Sequence, residues 1–247
     1  MMHTIYDTII GARNKGQKLL AVLLDPDKLA PEELPETLLR LPLDRVDFVF
    51  IGGSTVQDGV TERFVQETRK HTSLPLVLFP GDHGQITSQA DAVLFLSLLS
   101  GSNPEYLIGQ QIKAVPKLRE AGLEVLPTGY ILVDGGIETA VQRISGTKPL
   151  PADDIEAIVD TACAGVYAGK RLIYLEAGSG AKNPVSGSVI SAVQSSIDVP
   201  LIVGGGIRSQ KQLSEAYSKG ADLVVIGNAL EENSNLLHKI SKDERIH

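Results

Sequence analysis

The stretch Val203-Gly204-Gly205-Gly206-Ile207-Arg208 sets three glycines directly after a short apolar run. Upstream, Tyr174-Leu175-Glu176-Ala177-Gly178-Ser179-Gly180 has the same form, and downstream Val225-Ile226-Gly227-Asn228-Ala229 repeats it. Glycine has no Cβ, so backbone N–H groups at such turns are free to close on the oxygens of an anion. A doubly wound open sheet carries its glycine-rich phosphate turn after the first strand, where this chain has Asp25-Pro26-Asp27-Lys28. Glycines gathered after the last strands instead match a closed barrel, in which the loops after strands seven and eight hold phosphate. One such loop reads equally well as a mere tight turn; three in order, each at a strand end, favour phosphate.

Working outward, eight short β-rich runs alternate with segments of helical spacing. The runs are Leu19–Leu24, Phe48–Ile51, Leu76–Phe79, Ala92–Leu96, Glu124–Ile131, Leu172–Leu175, Leu201–Val203 and Leu223–Ile226. Several are apolar without alternation, as strands buried on both faces are. Helical spacing covers Pro104–Ala121, Asp153–Ala168 and Lys211–Lys219, and Gly122 and Gly220 read as helix stops. An amphipathic piece, Ile5–Lys15, precedes the first strand and is placed to cap the barrel floor. No low-complexity linker divides the chain, and Ser145–Ala152 fits a loop after the fifth strand. The expected fold is α/β: a single (β/α)8 TIM-type barrel spanning residues 1–247.

Composition excludes several functions. The chain has 247 residues, 43% of them hydrophobic, and a formal net charge of -7 with no basic run, which argues against a nucleic-acid surface. There is no apolar stretch long enough for a transmembrane segment and no signal-peptide layout at the N-terminus, so a cytoplasmic location is expected. The single cysteine, Cys163, lies among small and apolar residues at helical spacing and reads as packing, not as a nucleophile.

The first strand ends in Asp25, where a carboxylate points into the barrel mouth. A hard cation such as Mg2+ takes one or two carboxylates plus waters and substrate phosphates. Taken alone, Asp25 and Asp27 read as caps of the following turn, and Lys28 as a solvated cation. Ser54, at the end of the second strand, suits a metal shell or a helix N-cap equally. Glu176 sits just beyond the sixth strand and is the candidate proton acceptor for a substrate hydroxyl, with a structural ion pair as the plain alternative. Tyr174 shares its face by strand periodicity. His83 also lies at a strand end, and reads as structural or solvated. Gly205, Gly206, Gly227 and Asn228 are the expected phosphate contacts.

With these residues assembled, the chain resembles the geranylgeranylglyceryl phosphate synthase family over nearly its whole length. The resemblance is carried by LLDPDK (Leu23–Lys28), FIGGST (Phe50–Thr55), FPGDHGQIT (Phe79–Thr87), LFLSLLSGSNPEYLIG (Leu94–Gly109), PTGYILVDGG (Pro127–Gly136), YLEAGSGA (Tyr174–Ala181), VGGGIRS (Val203–Ser209) and IGNALEEN (Ile226–Asn233). Each is weak alone; their ordered combination is specific, and the DPDK form is similar to group II of the family. The resemblance implies a Mg2+-dependent prenyltransferase that joins the C3 hydroxyl of sn-glycerol 1-phosphate to geranylgeranyl diphosphate, in a homo-oligomer. It implies Mg2+ on Asp25 and Ser54. Glycerol phosphate falls on Tyr174, Leu175, Glu176, Ala177, Gly178, Ser179, Gly180, Gly205, Gly206, Gly227 and Asn228. Asp25 and Glu176 become the catalytic pair, and Lys28 a contact for the diphosphate. The site of the prenyl tail is less legible: Leu94–Leu99, Tyr106, Ile108 and Tyr130 are apolar or aromatic and near strand ends, and most of them read as ordinary core. Two readings compete: another phosphate-gripping barrel enzyme, such as an isomerase or cyclase, and a phospholigand sensor without turnover.

Overall fold

The structure, a computed structural model, describes residues 4–57 and 59–227. Eight parallel strands form a closed barrel in sequence order: β1 (Leu19–Leu24), β2 (Phe48–Ile51), β3 (Leu76–Leu78), β4 (Ala92–Leu98), β5 (Glu124–Leu132), β6 (Leu172–Glu176), β7 (Leu201–Gly204) and β8 (Leu223–Ile226). Closure is made by β8 on β1, with Leu19 opposite Leu223 and Val22 opposite Ile226. Every run read as a strand is one, within two residues at its ends. The α-helices are α1 (Ile5–Asn14), α2 (Leu34–Arg40), α3 (Val60–His71), α4 (Gln110–Ala121), α5 (Ala140–Ser145), α6 (Ile155–Tyr167), α7 (Gly187–Ser196) and α8 (Gln210–Ser218).

Strand side chains alternate between two hydrophobic layers, which is why the runs are apolar throughout. Leu19 and Ala21 of β1, Phe48 and Phe50 of β2, and Leu172 and Tyr174 of β6 fill the barrel interior. Leu20, Val22, Val49, Ile173 and Leu175 point outward, where Leu34, Phe64, Ile158 and Val189 of the helices cover them. Burying one such aliphatic side chain is worth roughly 1.5–3 kcal/mol, so a one-residue slip of a strand would exchange two incompatible sets of contacts.

Helix α1 closes the floor as expected: Ile5, Ile9 and Ala12 join the interior layer. Its first turn is held from two sides. Thr4 Oγ1 accepts the Asp7 N–H at 3.1 Å. Glu124, the first residue of β5, accepts the N–H groups of Ile5 and Tyr6 at 2.7 and 3.1 Å. The Arg171 guanidinium lies 3.5 Å from the centre of the Tyr6 ring, and the cation faces its π-cloud.

One crossover departs from the eightfold pattern. Between β3 and β4 the described residues hold no α-helix, only a single tight turn at His83–Gln85. Pro80, Gly81, Gly84 and the run Thr87-Ser88-Gln89 offer no amphipathic face there. The helical stretch after β4 also differs from a plain helix, because Glu105–Gly109 winds as a wide π-type turn before α4 begins. No helix among the described residues is long and apolar enough to cross a membrane.

Candidate functional site

Strand parity aims the functional side chains. Asp25, directly after β1, continues the inward series Leu19, Ala21, Leu23, and in β6 Glu176 follows Leu172 and Tyr174; Ser54 comes three residues past the end of β2 and lies at the same rim. In consequence Asp25, Ser54, Tyr174, Glu176, Ser179, Gly180, Gly205, Gly206 and Gly227 line one cavity of about 200 Å³ at the carboxyl ends of the strands. At about 10–15 Å³ per water on this measure, it has room for more than a dozen waters, far more than a phosphate fills.

Leu175, Ala177 and Gly178 stand differently. Leu175 and Ala177 turn their side chains into the outer layer. The Ala177 N–H donates to Gly204 O at 3.1 Å, and the Gly178 N–H to Glu176 Oε1 at 2.8 Å. These three build the rim from behind, while Ser179 and Gly180 face the cavity. Asn228 lies outside the described residues.

Glu176 is only 6% exposed. Burial pushes its pKa up to about 7, against the opposing pull of Tyr174 and of the Gly178 N–H. The carboxyl group is therefore poised to hold or release a proton near neutrality, which is what general base catalysis asks. Burial and the nearby Glu176 carboxylate raise the Tyr174 hydroxyl well above its ordinary range. That hydroxyl is buried against the Glu176 carboxyl group and has no other hydrogen-bond partner among the described residues. Gly204 makes room for both, since a Cβ there would lie 2.5 Å from the Tyr174 hydroxyl and 2.7 Å from Glu176 Oε2. Gly205 and Gly206 turn the chain away at φ 81° and 71°, a conformation that costs glycine little.

Asp25 does cap its turn, accepting the Asp27 N–H at 3.0 Å, and its side chain also faces the cavity. Burial raises its pKa, opposed by the Asp27 N–H and Lys28. Magnesium takes few protein carboxylates and completes its shell with water and phosphate oxygens. The inward carboxylate of Asp25, at the same rim as Ser54, suits such an ion. Among the described residues no group of three or more His, Cys, Asp or Glu could hold a metal, so the site offers no all-protein cage. Lys28 Nζ spans the two halves of the rim, 3.5 Å from Asp25 Oδ2 and 2.9 Å from Ser179 Oγ.

The apolar part of the cavity takes in Leu94, Leu96, Leu98, Tyr106 and Tyr130, while Ile108 is 55% exposed and lies outside it. Ile86, Val93 and Ala114 of the outer layer also line it. An apolar branch thus leaves the mouth toward α4, through the place where the helix after β3 is missing. Val141 and Ile144 of α5 form its other wall.

The sequence assigns no role to Arg208 and reads His83 as structural or solvated, yet both line the cavity. Arg208 lines the cavity and donates to Ala181 O at 2.7 Å and Gly180 O at 3.2 Å, ordering the loop after β6; a lone cation in a glycine loop was the available signal. His83 also lines it, its Nδ1 2.9 Å from Gln110 Oε1. Cys163 is half-buried against the outer layer.

A model of the PcrB family matches residues 13–244. The chain is 55% identical over 230 residues to geranylgeranylglyceryl phosphate synthase of Zunongwangia profunda, spanning 93% of this chain and 98% of that one. The protein of the same name from Thermococcus kodakarensis is 41% identical over 227 residues, 92% and 89% of the two chains. Among solved structures, (S)-3-O-geranylgeranylglyceryl phosphate synthase from Thermoplasma acidophilum in complex with substrate sn-glycerol-1-phosphate superposes with a TM-score of 0.90 at 31% identity, covering 100% of this chain and 99% of that one. Tryptophan synthase of Mycobacterium tuberculosis, at 13% identity and a TM-score of 0.60, shares the fold alone. A family match running from the floor helix almost to the C-terminus, with relatives this similar over most of the chain, establishes that the chain belongs to the PcrB family.

Proposed function

We propose that this chain joins the C3 hydroxyl of sn-glycerol 1-phosphate to geranylgeranyl diphosphate, giving geranylgeranylglyceryl phosphate and diphosphate. The names of its relatives and the substrate complex of the Thermoplasma protein support this reading. The observation that carries it is one cavity holding a buried carboxylate of pKa about 7, glycine-opened anion loops and an apolar branch.

The phosphate of the acceptor takes the N–H groups of Gly205, Gly206 and Gly227, with Ser179 and Gly180 closing the loop side. Its C3 hydroxyl then lies by Glu176 and the Tyr174 hydroxyl. Glu176 accepts the hydroxyl proton as the glycerol oxygen bonds to the allylic carbon of the donor. The carbon–oxygen bond to diphosphate breaks, and its electron pair leaves with the diphosphate. Phe79, Tyr130 and Tyr174 pack with ring centres 5.3–5.9 Å apart, and their π-faces favour positive charge developing on the allyl group. Lys28 offers its ammonium to the departing diphosphate. Asp25 and Ser54 would hold Mg2+, which would supply neutralisation of the leaving group's charge.

The test is the mass of the lipid made from a mixture of prenyl diphosphates and both enantiomers of glycerol phosphate, with and without Mg2+. A geranylgeranyl ether of the sn-1 enantiomer, formed only with the metal, is expected. Binding of glycerol phosphate with no consumption of any donor would make the chain a sensor instead.

A further inference from the structure

We propose that Gln85, which does not line the cavity, is the positioning residue for the acid and hydroxyl rim, acting through the peptide of Gly53. Beyond Gly52, whose N–H donates to Leu24 O at 3.2 Å, β2 leaves the barrel ladder. The N–H and C=O of Gly53 then need partners that no strand supplies. Gln85 provides both: its Nε2 donates to Gly53 O at 2.9 Å, and its Oε1 faces the Gly53 N–H at 3.5 Å. A primary amide presents a donor and an acceptor side by side, as a strand does. Gln85 is 2% exposed, so this pairing is shielded from water.

The clamp reaches the rim through close packing. Gly53 lies so near Asp25 that a Cβ on it would overlap Oδ1 and sit 3.0 Å from the Asp25 carboxyl carbon. A Cβ on Gly81 would lie 2.6 Å from the same Gly53 carbonyl and 3.0 Å from Ser54 Cα. The loop after β3 is thus pressed flat on residues 53 and 54, with Gln85 fixing their height. Shifting the Gly53 peptide moves Ser54, its chain neighbour, and opens the wall behind the Asp25 carboxylate. The loops after β6 and β7 lie across the barrel mouth from those after β2 and β3, and the hydrogen bonds of Gln85 go to Gly53 and Asp82. This inference rests on the magnesium reading of Asp25 and Ser54 above.

The experiment follows Mn2+ binding to the full chain by electron paramagnetic resonance in the presence of inorganic diphosphate, beside calorimetry with sn-glycerol 1-phosphate and a thermal melt. Gln85→Met, similar in length but unable to pair with the peptide, is expected to weaken Mn2+ binding at least about tenfold, as loss of an outer-shell partner does. Glycerol phosphate affinity is expected to stay unchanged, and the KM for the prenyl donor to rise while that for glycerol phosphate does not. Unchanged Mn2+ affinity in a folded Gln85→Met protein overturns the proposal, as does an equal loss of both ligands. Should Gln85→Met not fold, Gly53→Ala decides: it drives a methyl at Asp25 from the same peptide, and must weaken the cation while sparing glycerol phosphate. A wild-type chain that binds no Mn2+ with diphosphate removes the magnesium reading itself, and the role of Gln85 with it.

Discussion

A Cβ added at Gly205 would overlap Glu176 Oε1 and lie 2.7 Å from the Gly178 nitrogen, whereas one added at Gly227 would meet, among the described residues, nothing nearer than Leu23 at 3.6 Å. The first glycine is required by the protein's own packing and by its positive φ; the second is not. What Gly227 leaves open is approach to the cavity that it lines. Gly227→Ala should therefore melt within about 0.5 kcal/mol of wild type yet bind sn-glycerol 1-phosphate at least about tenfold more weakly, because the methyl stands where a phosphate oxygen would seek the N–H. Calorimetry and a thermal melt check the pair, and full affinity in the variant would move the phosphate away from β8. The sequence placed both glycines at strand ends but offered no way to tell them apart. That difference lies in contacts between positions 23 and 227 and between 176 and 205, which no local pattern encodes.

At the scale of elements, strands were legible because mostly apolar runs of three to eight residues, several without alternation, suit strands buried on both faces. The floor helix was legible too, from its apolar spacing. Its anchor was not: Glu124 lies more than a hundred positions away from Ile5 in the chain, and only barrel closure brings them together. Two charge-assisted bonds to a helix N-terminus of this kind contribute roughly 1–3 kcal/mol. Glu124→Ala should lower the melting temperature accordingly, by a few degrees for a chain of this length, while kcat and both KM values stay at wild-type levels, since the carboxylate sits at the end of the barrel opposite the cavity. A kinetic defect would show that the floor communicates with the mouth. The missing helix after β3 is the converse case. The eightfold rhythm implied one, but Pro80–Gln85 is rich in residues that turn the chain, and the opening it leaves is where the apolar branch runs.

For the whole molecule, the carboxylate that suits catalysis is a burden on the fold. Glu176 has a folded pKa of about 7 against an ordinary 4.5, so the folded state holds its proton more tightly than the unfolded chain does. Its contribution is fully present below pH 4.5 and is lost as pH rises through 7. At 1.36 kcal/mol per unit, the loss is on the order of 3 kcal/mol. The same titration creates the base, so kcat/KM should climb with pH around 7 while the melting temperature falls. A Glu176→Gln variant keeps an acceptor for the Gly178 N–H and has no charge to bury. Its kcat should drop about 100-fold or more, with a smaller change in glycerol phosphate affinity. Melted across the pH range, the variant should gain on wild type progressively between pH 4.5 and 7 and hold a constant lead above pH 8, worth several degrees. A difference between the two proteins that does not vary with pH would mean that Glu176 titrates in its ordinary range, and the burial that makes it a base near neutrality would have to be abandoned.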